Sequence, residues 1–222
     1  MMSKKFVLLG WCRAVCLYAV VAVVGLNADL LTKHWVFQAL GMPGTYKADT
    51  EPDLKAVYWI LPNVAGFQTS LNQGALFGLG HGHITILVVL SVLFLIGIMG
   101  YMVLWAWKSL FFSTVLGMIT AGIFGNLYDR LGWHGFTDSS GQPVYAVRDW
   151  ILCMIGSFPW PNFNIADSLL VCSVILLLLH ELLFNSAEQR GALEQRQEAG
   201  TEKPVGSKEQ AGHLPTSLSV DA

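Results

Sequence analysis

Apolar residues in this chain fall into long unbroken runs, not the two- or 3.6-residue alternation of a half-buried strand or an amphipathic helix. A bilayer-spanning helix needs about 20 mostly apolar residues. Residues 14–35, 84–107, 109–128 and 164–184 each meet that requirement and are predicted as four spans. The segments between them read differently. Residues 36–83 carry turn signals at Gly41, Pro43-Gly44, Pro52 and Pro62-Asn63. Between these lie Val57, Tyr58, Trp59, Ile60, Phe67 and Thr69, residue types that favour short strands. Residues 129–163 have a polar centre at 134–142 and then an amphipathic piece around 144–155. The expected fold is therefore an all-α membrane protein: a four-helix bundle with a small external β-rich segment and an amphipathic external loop. Residues 1–13 form a short leading segment, 14–185 the membrane domain, and 186–222 a polar, solvated tail in which 187–199 has some helical character.

Composition sharpens this picture. Of 222 residues, 54% are apolar and 13% charged, against roughly 45–50% and 25% in an ordinary soluble domain. Ten of the charged residues lie from Ser186 onward, leaving 18 for the first 185 positions, too few to cover a soluble globule of that size. A mean hydropathy of +0.52 agrees. A soluble enzyme, a nucleic-acid binder with a basic face and a disordered chain are all excluded. The four cysteines (Cys12, Cys16, Cys153 and Cys172) form no CxxC and no disulfide framework, and read as small core residues. Gly97, Gly100, Gly117, Gly122 and Gly125 are candidates for close helix approach.

Lys4 and Lys5 before an apolar run have signal-peptide anatomy, but Leu26 stands where a cleavage site ending at Ala28 wants a small residue, so the helix is expected to be retained. The same bases, with Arg13, place both termini on the cytoplasmic side, by a small margin in the count of bases near the membrane. Trp35, Trp105, Trp107, Trp150 and Trp160 fall near span ends, as an aromatic belt would.

Six of the 18 charges outside the tail gather at one set of helix ends. Asp29, Lys33, Asp129, Arg130, Asp149 and Asp167 lie at span ends or in the adjoining loop. Ionisable groups at membrane depth are costly and usually functional, although a single one at a helix end is equally well an interfacial anchor. Asp29 and Lys33, four apart, suit an i,i+4 ion pair or a substrate contact. Asn72-Gln-Gly74 offers an amide and a flexible backbone to an extended peptide, or is an ordinary turn. Asn126, Asp129 and Arg130 close the third span, where the charges could serve only to tie that helix end to a neighbour. Asp167 has capping-box spacing from Asn164 and could be a helix cap. If Asp149 and Asp167 instead face each other, they would share one proton, giving a general base for water and an acid for the leaving group. HExxH, GxSxG and Walker motifs do not occur, and His81 and His83 lack a third metal ligand nearby.

These residues belong to five ordered motifs: Asp29-Leu-Leu-Thr32-Lys33, Asn72-Gln-Gly74-Ala75-Leu-Phe77-Gly78, Gly125-Asn126-Leu-Tyr-Asp129-Arg130, Val147-Arg-Asp149-Trp150 and Phe163-Asn164-Ile-Ala166-Asp167. Together they resemble the lipoprotein signal peptidases, the type II signal peptidases. The resemblance implies a multi-pass aspartic endopeptidase of the bacterial inner membrane, a target of the antibiotic globomycin. Such an enzyme removes signal peptides from prolipoproteins before a diacylglyceryl-modified cysteine, near the periplasmic face. It implies Asp149 and Asp167 as the catalytic dyad, with Asp29, Lys33, Asn72, Gly74, Asn126, Asp129, Arg130 and Asn164 shaping the site or touching substrate. The implied partners are prolipoprotein and membrane lipid, with no cofactor, metal or nucleic acid, and the protein is expected to be a monomer.

This chain departs from the family pattern in two places. It is longer between Asp129 and Asp149, around 133–146, which makes Asp138 the fallback for the first aspartate. Arg148 stands where the family usually has a small apolar residue. Pointing inward it would lower the pKa of Asp149, and pointing outward it would meet headgroups. The competing functions are a small proton-coupled transporter and a non-catalytic membrane scaffold. A transporter's relay calls for carboxylates spread through the membrane depth, where these spans are nearly uncharged.

Overall fold

A computed structural model describes residues 4–43, 57–74, 84–105, 108–138 and 140–201; in the two terminal helical stretches, 4–7 and 185–201, only the backbone is described. His81, His83, Trp107 and the Ala75–Gly78 part of the second motif lie outside the described residues. The elements in chain order are α1 (Lys4–Leu40), β1 (Tyr58–Leu61), β2 (Ala65–Asn72), α2 (Ile84–Leu104), α3 (Leu110–Arg130), β3 (Val147–Ile155), β4 (Phe158–Pro159) and α4 (Ile165–Thr201). The chain divides into two units. Met1–Leu178 contains the sheet, most of the helices and the site, and the described part of Leu179–Ala222 is the continuation of α4.

Among the described residues, four helices are long and apolar enough to cross a membrane, within Leu8–Leu40, Ile84–Leu104, Leu110–Arg130 and Ile165–Phe184. These are the four predicted spans, with α1 running beyond the predicted length at both ends. Local chemistry sets their limits. Gly41, at φ 80°, closes α1 by donating its N–H to the Phe37 carbonyl (3.1 Å), a left-handed cap with Pro43 just beyond it. Ser109 opens α3, its hydroxyl accepting from the Phe112 N–H. Asn164 opens α4 with a reciprocal box: its N–H donates to Asp167 Oδ2 (3.2 Å), and the Asp167 N–H donates to Asn164 Oδ1 (3.0 Å).

Packing is unequal around the bundle. The central helix is α3, buried along one side through Ser113, Val115, Gly117, Ala121, Gly122, Gly125 and Asn126. Its glycines face the neighbouring helices. A methyl at Gly117 would meet the Tyr18 carbonyl of α1 at 2.8 Å, and one at Gly122 the Ala166 carbonyl of α4 at 2.7 Å. Gly97 and Gly100 of α2 face open space, so the close approach expected there does not occur. On α2 only Met102 is buried, while Leu93, Phe94, Ile96 and Met99 are exposed as a bilayer-facing surface requires. Cys12, Cys16 and Cys172 are also exposed, correcting their reading as core residues.

The sheet is larger than expected and draws on both predicted external segments. Its order is β1-β2-β3-β4, every pair antiparallel. β1 and β2 form a hairpin around Pro62-Asn63-Val64, with Asn63 in the left-handed region. β3 then pairs with β2 so that Ser70 lies opposite Asp149, Leu71 opposite Arg148 and Asn72 opposite Val147. The amphipathic piece of the sequence reading is thus a strand, and Val147–Trp150 are buried on both faces. Periodicity missed this because each face of so short a strand meets a different element. Trp150 is buried with Val36 and Phe37 and meets Phe67 edge-on at 5.0 Å, so it belongs to the core joining sheet and α1, not to an interfacial belt.

The glycine contacts generate a test. Gly122→Val forces α3 away from the Ala166 carbonyl and Leu170, so it should cost about 1–3 kcal/mol of stability, the usual penalty of overpacking. Gly97→Ala meets nothing within 4 Å and should leave thermal stability in detergent unchanged or slightly higher. Equal melting temperatures for Gly122→Val and the parent would contradict the packing described.

Candidate active site

Lys33 is where the polar groups converge. Its side chain is wholly buried, and its ammonium lies 2.7 Å from Asp29 Oδ2, 3.1 Å from Asp129 Oδ2 and 3.0 Å from Asn126 Oδ1. The predicted i,i+4 pair is present, but it is one part of a larger cluster. Asp29 also accepts the Ala166 N–H at the start of α4 (2.9 Å), where an anion complements the helix dipole. Gly125 must lack a side chain here, because a methyl would collide with the Asp29 carboxylate. Asp129 accepts from the Arg148 N–H (3.0 Å) and, on Oδ1, from Arg148 Nε (3.0 Å) and Nη2 (2.7 Å).

Two further carboxylates stand beside this cluster. Asp149 Oδ1 accepts from Asn164 Nδ2 (2.6 Å) and Oδ2 from Asn72 Nδ2 (3.2 Å). Asp167 Oδ1 accepts from Asn126 Nδ2 (2.8 Å), while Oδ2 takes the Asn164 N–H. Each of the four oxygens therefore has one amide donor, and Asn164 touches both carboxylates. It also reaches Asn126 Oδ1 (3.1 Å), which links the pair to the Lys33 cluster. Asp167 is thus both a helix cap and part of this group, so the two readings of its spacing are compatible.

The chain path explains how residues 18 positions apart come together. After Asp149 the strand turns at Gly156 into β4, and residue 163 returns alongside β3. The Trp150 and Ile151 N–H groups both donate to the Phe163 carbonyl (3.0 and 2.8 Å), which fixes Asn164 next to Asp149. Asn162 Nδ2 reinforces the return by donating to the Gln68 carbonyl (2.9 Å) and Gln68 Oε1 (3.2 Å), a brace that sequence reasoning missed and that no motif marks. Arg130 Nη2 donates to the Gly74 carbonyl (2.9 Å), and Gly74 N–H to Asn72 Oδ1 (2.9 Å), holding the end of β2 over the site.

Burial raises the Asp149 carboxyl well above the ordinary range, and the neighbouring Asp167 charge raises it further; Lys33 and the Asn72 and Asn164 amides oppose the shift only in part. Arg148 does point inward, but its guanidinium is engaged by Asp129 and the main groups acting on Asp149 are Asp167, Lys33 and the Asn72 and Asn164 amides. Asp138 is fully exposed in its own turn, bonded to Ser140 and Gln142 and apart from the other carboxylates. It has no place in the site. Among the described residues no three His, Cys, Asp or Glu side chains are grouped as a metal site.

Four spans and a sheet that folds buried carboxylates against helix ends define a multi-pass membrane protein with a charged site at one end of the bundle. The signal peptidase II family model matches residues 21–183. A lipoprotein signal peptidase of Rhodopirellula baltica is 41% identical over 160 residues, covering 71% of this chain and 68% of its own. One from Methylocella silvestris is 31% identical, covering 78% and 88%. A bacterial membrane enzyme solved by the in meso method at 1.9 Å shares the fold, with a TM-score of 0.57 and 25% identity over 74% of this chain and 92% of its own. A second such structure, at 2.3 Å, has a TM-score of 0.56 over 85% of this chain and 94% of its own. The chain belongs to the signal peptidase II family, and it is a peptidase.

The Lys33 cluster gives a direct prediction. Lys33→Met leaves Asp29 and Asp129 buried without their shared cation, and breaking such a pair from one side costs about 3–5 kcal/mol. Thermal unfolding of the purified protein should fall accordingly; a Lys33→Met variant as stable as the parent would contradict the cluster's role.

Proposed function

We propose that this peptidase removes signal peptides from diacylglyceryl-modified prolipoproteins, cutting before the lipidated cysteine, with Asp149 and Asp167 as the catalytic dyad. The observation that carries this reading is the pairing through Asn164 of two carboxylates, Asp149 buried and Asp167 half-buried. Close carboxylates cannot both ionise, so they share one proton. The charged member takes a proton from water as the water attacks the scissile carbonyl. The protonated member delivers its proton to the carbonyl oxygen, giving a tetrahedral gem-diol. As this collapses, the member that took the water proton passes it to the leaving amine, and the other recovers a proton from a gem-diol hydroxyl, which restores the singly protonated pair. The raised Asp149 carboxyl suits the acid role. Asn72, Asn126 and Asn164 orient the dyad, and the Asn72–Gly74 segment held by Arg130 supports an extended peptide across it. Asp29, Lys33 and Asp129 form the buried base on which these amides rest.

The site's position at the ends of the spans fits the substrate. The signal peptide's apolar helix and the acyl chains stay in lipid, while the scissile bond reaches water near the periplasmic face of the inner membrane, with both termini cytoplasmic. The enzyme acts as a monomer. No step calls for a metal or cofactor, and globomycin would compete for the same carboxylates. A proton-relay transporter is disfavoured because the buried acids of the described residues, Asp29, Asp129 and Asp149, belong to one connected cluster and do not form a chain through the depth of the bundle.

Asp149→Asn and Asp167→Asn should each abolish cleavage of a lipidated prolipoprotein in membranes, a loss of at least about a thousandfold. Mass spectrometry of the parent enzyme's product should find an N-terminal diacylglyceryl-cysteine. Turnover retained in either variant, or a product beginning elsewhere, overturns the proposal.

A further inference from the structure

We propose that Arg148 is a positioning residue of the site: by neutralising Asp129 it leaves the Lys33 charge directed toward the Asn126–Asp167–Asp149 side, and the hairpin that pairs residues 136–138 with 142–144 holds it in place. The inference rests on the dyad reading above.

The geometry is specific. Arg148 is 2% exposed and grips one Asp129 oxygen with both Nε and Nη2, while its own backbone N–H takes the other oxygen. Successive strand residues point to opposite faces, so Arg148 and Asp149 leave β3 on opposite sides with separate sets of partners. The guanidinium lies 5.6 Å from the Phe136 ring centroid, a cation–π distance that a planar, always-charged group suits. Phe136 belongs to the hairpin. Its carbonyl accepts the Val144 N–H (3.0 Å), Thr137 bridges Pro143, and the Asp138 carboxylate ties down the tip. Phe136 also packs against Phe37 of α1 at 6.1 Å, which anchors the hairpin to the bundle. The hairpin therefore covers the back of the Asp129–Arg148 pair.

Charge balance shows what the pair does. The groups around Asp149 are Lys33 and Asp29 from α1, Asp129 and Arg130 from α3, Arg148 from its own strand and Asp167 from α4. His134, between α3 and the hairpin, is held neutral mainly by burial. Three cations thus face four carboxylates, and one proton on the Asp149–Asp167 pair makes the set neutral. Without Arg148, Asp129 competes uncompensated for the Lys33 ammonium, and the field at the pair turns more negative by one charge. The shared proton is then held more tightly, so the singly protonated form appears only at higher pH.

The test is the pH profile of kcat/KM for the full-length enzyme on a synthetic lipopeptide carrying a diacylglyceryl-cysteine. Arg148→Met should move the whole profile up by about one pH unit. Arg148→Lys keeps the charge but loses the fork, and should hold the wild-type position at reduced kcat. Cleavage lost in Arg148→Met and restored by Arg148→Lys at the wild-type position supports the same conclusion. An unmoved profile in Arg148→Met, or loss of cleavage at every pH in both variants, overturns it and leaves Arg148 a folding residue alone. Asp149→Asn and Asp167→Asn, assayed alongside, separate the two readings. If they are inactive while the Arg148→Met profile is unmoved, only the positioning role fails; if they cleave, the dyad itself fails.

Discussion

A lysine ammonium without water is the constraint on which this structure depends. Lys33 sits wholly buried at a span end, and a bare charge there would be prohibitive. Every neighbouring element contributes to its neutralisation. Asp29 comes from the same helix, Asp129 and Asn126 from α3, and through those groups the start of α4 and the strand β3 are attached. Breaking any one link leaves a charge or an amide unsatisfied in a medium that cannot hydrate it. The helices and the sheet are therefore held in register by electrostatic necessity more than by apolar packing, which inside a bilayer provides little drive for helices to associate.

The same constraint makes the site rigid. Asn126 accepts from Lys33 and donates to Asp167; Asn164 caps α4 and touches both Asp149 and Asp167. Such amides cannot rotate without losing a bond at each end, so the carboxylates are oriented before any peptide arrives. α2 stands outside the network. It contributes Met102 and Ile98 to the apolar contact with Ala14 and Tyr18, and most of its other side chains are exposed.

Much of this was legible along the chain. The spans were readable because burying a backbone in lipid demands an unbroken apolar helix of fixed length, a requirement that leaves a mark on every residue. The charged positions were readable because they are rare: a lone Lys33 or Asp167 in an apolar run stands out as the same residue on a soluble surface would not. The strand at 147–155 was less legible, since its two faces are covered by unrelated elements and its alternation is erased. Arg148 was ambiguous because an arginine beside a membrane can face headgroups or a buried acid, and only the position of Asp129 selects between them. Gln68 and Asn162 carried no signal at all; their bond exists only because the β4 turn brings residue 162 back to β2.

By itself, the sequence determined the membrane class, the number of spans and the small set of ionisable residues clustered near one set of helix ends, all properties of local composition and spacing. Which of those residues touch was decided by the tertiary structure. Asp149 and Asp167 come to share Asn164 because residue 163 returns alongside β3 after the β3–β4 turn, and Asp138 is left in solvent because its own turn satisfies its carboxylate. Spacing along a chain limits separation but carries no direction. Two acids far apart in sequence come together only through a return of the backbone, fixed here by hydrogen bonds at Trp150 and Ile151, which places Asn164 in contact with both.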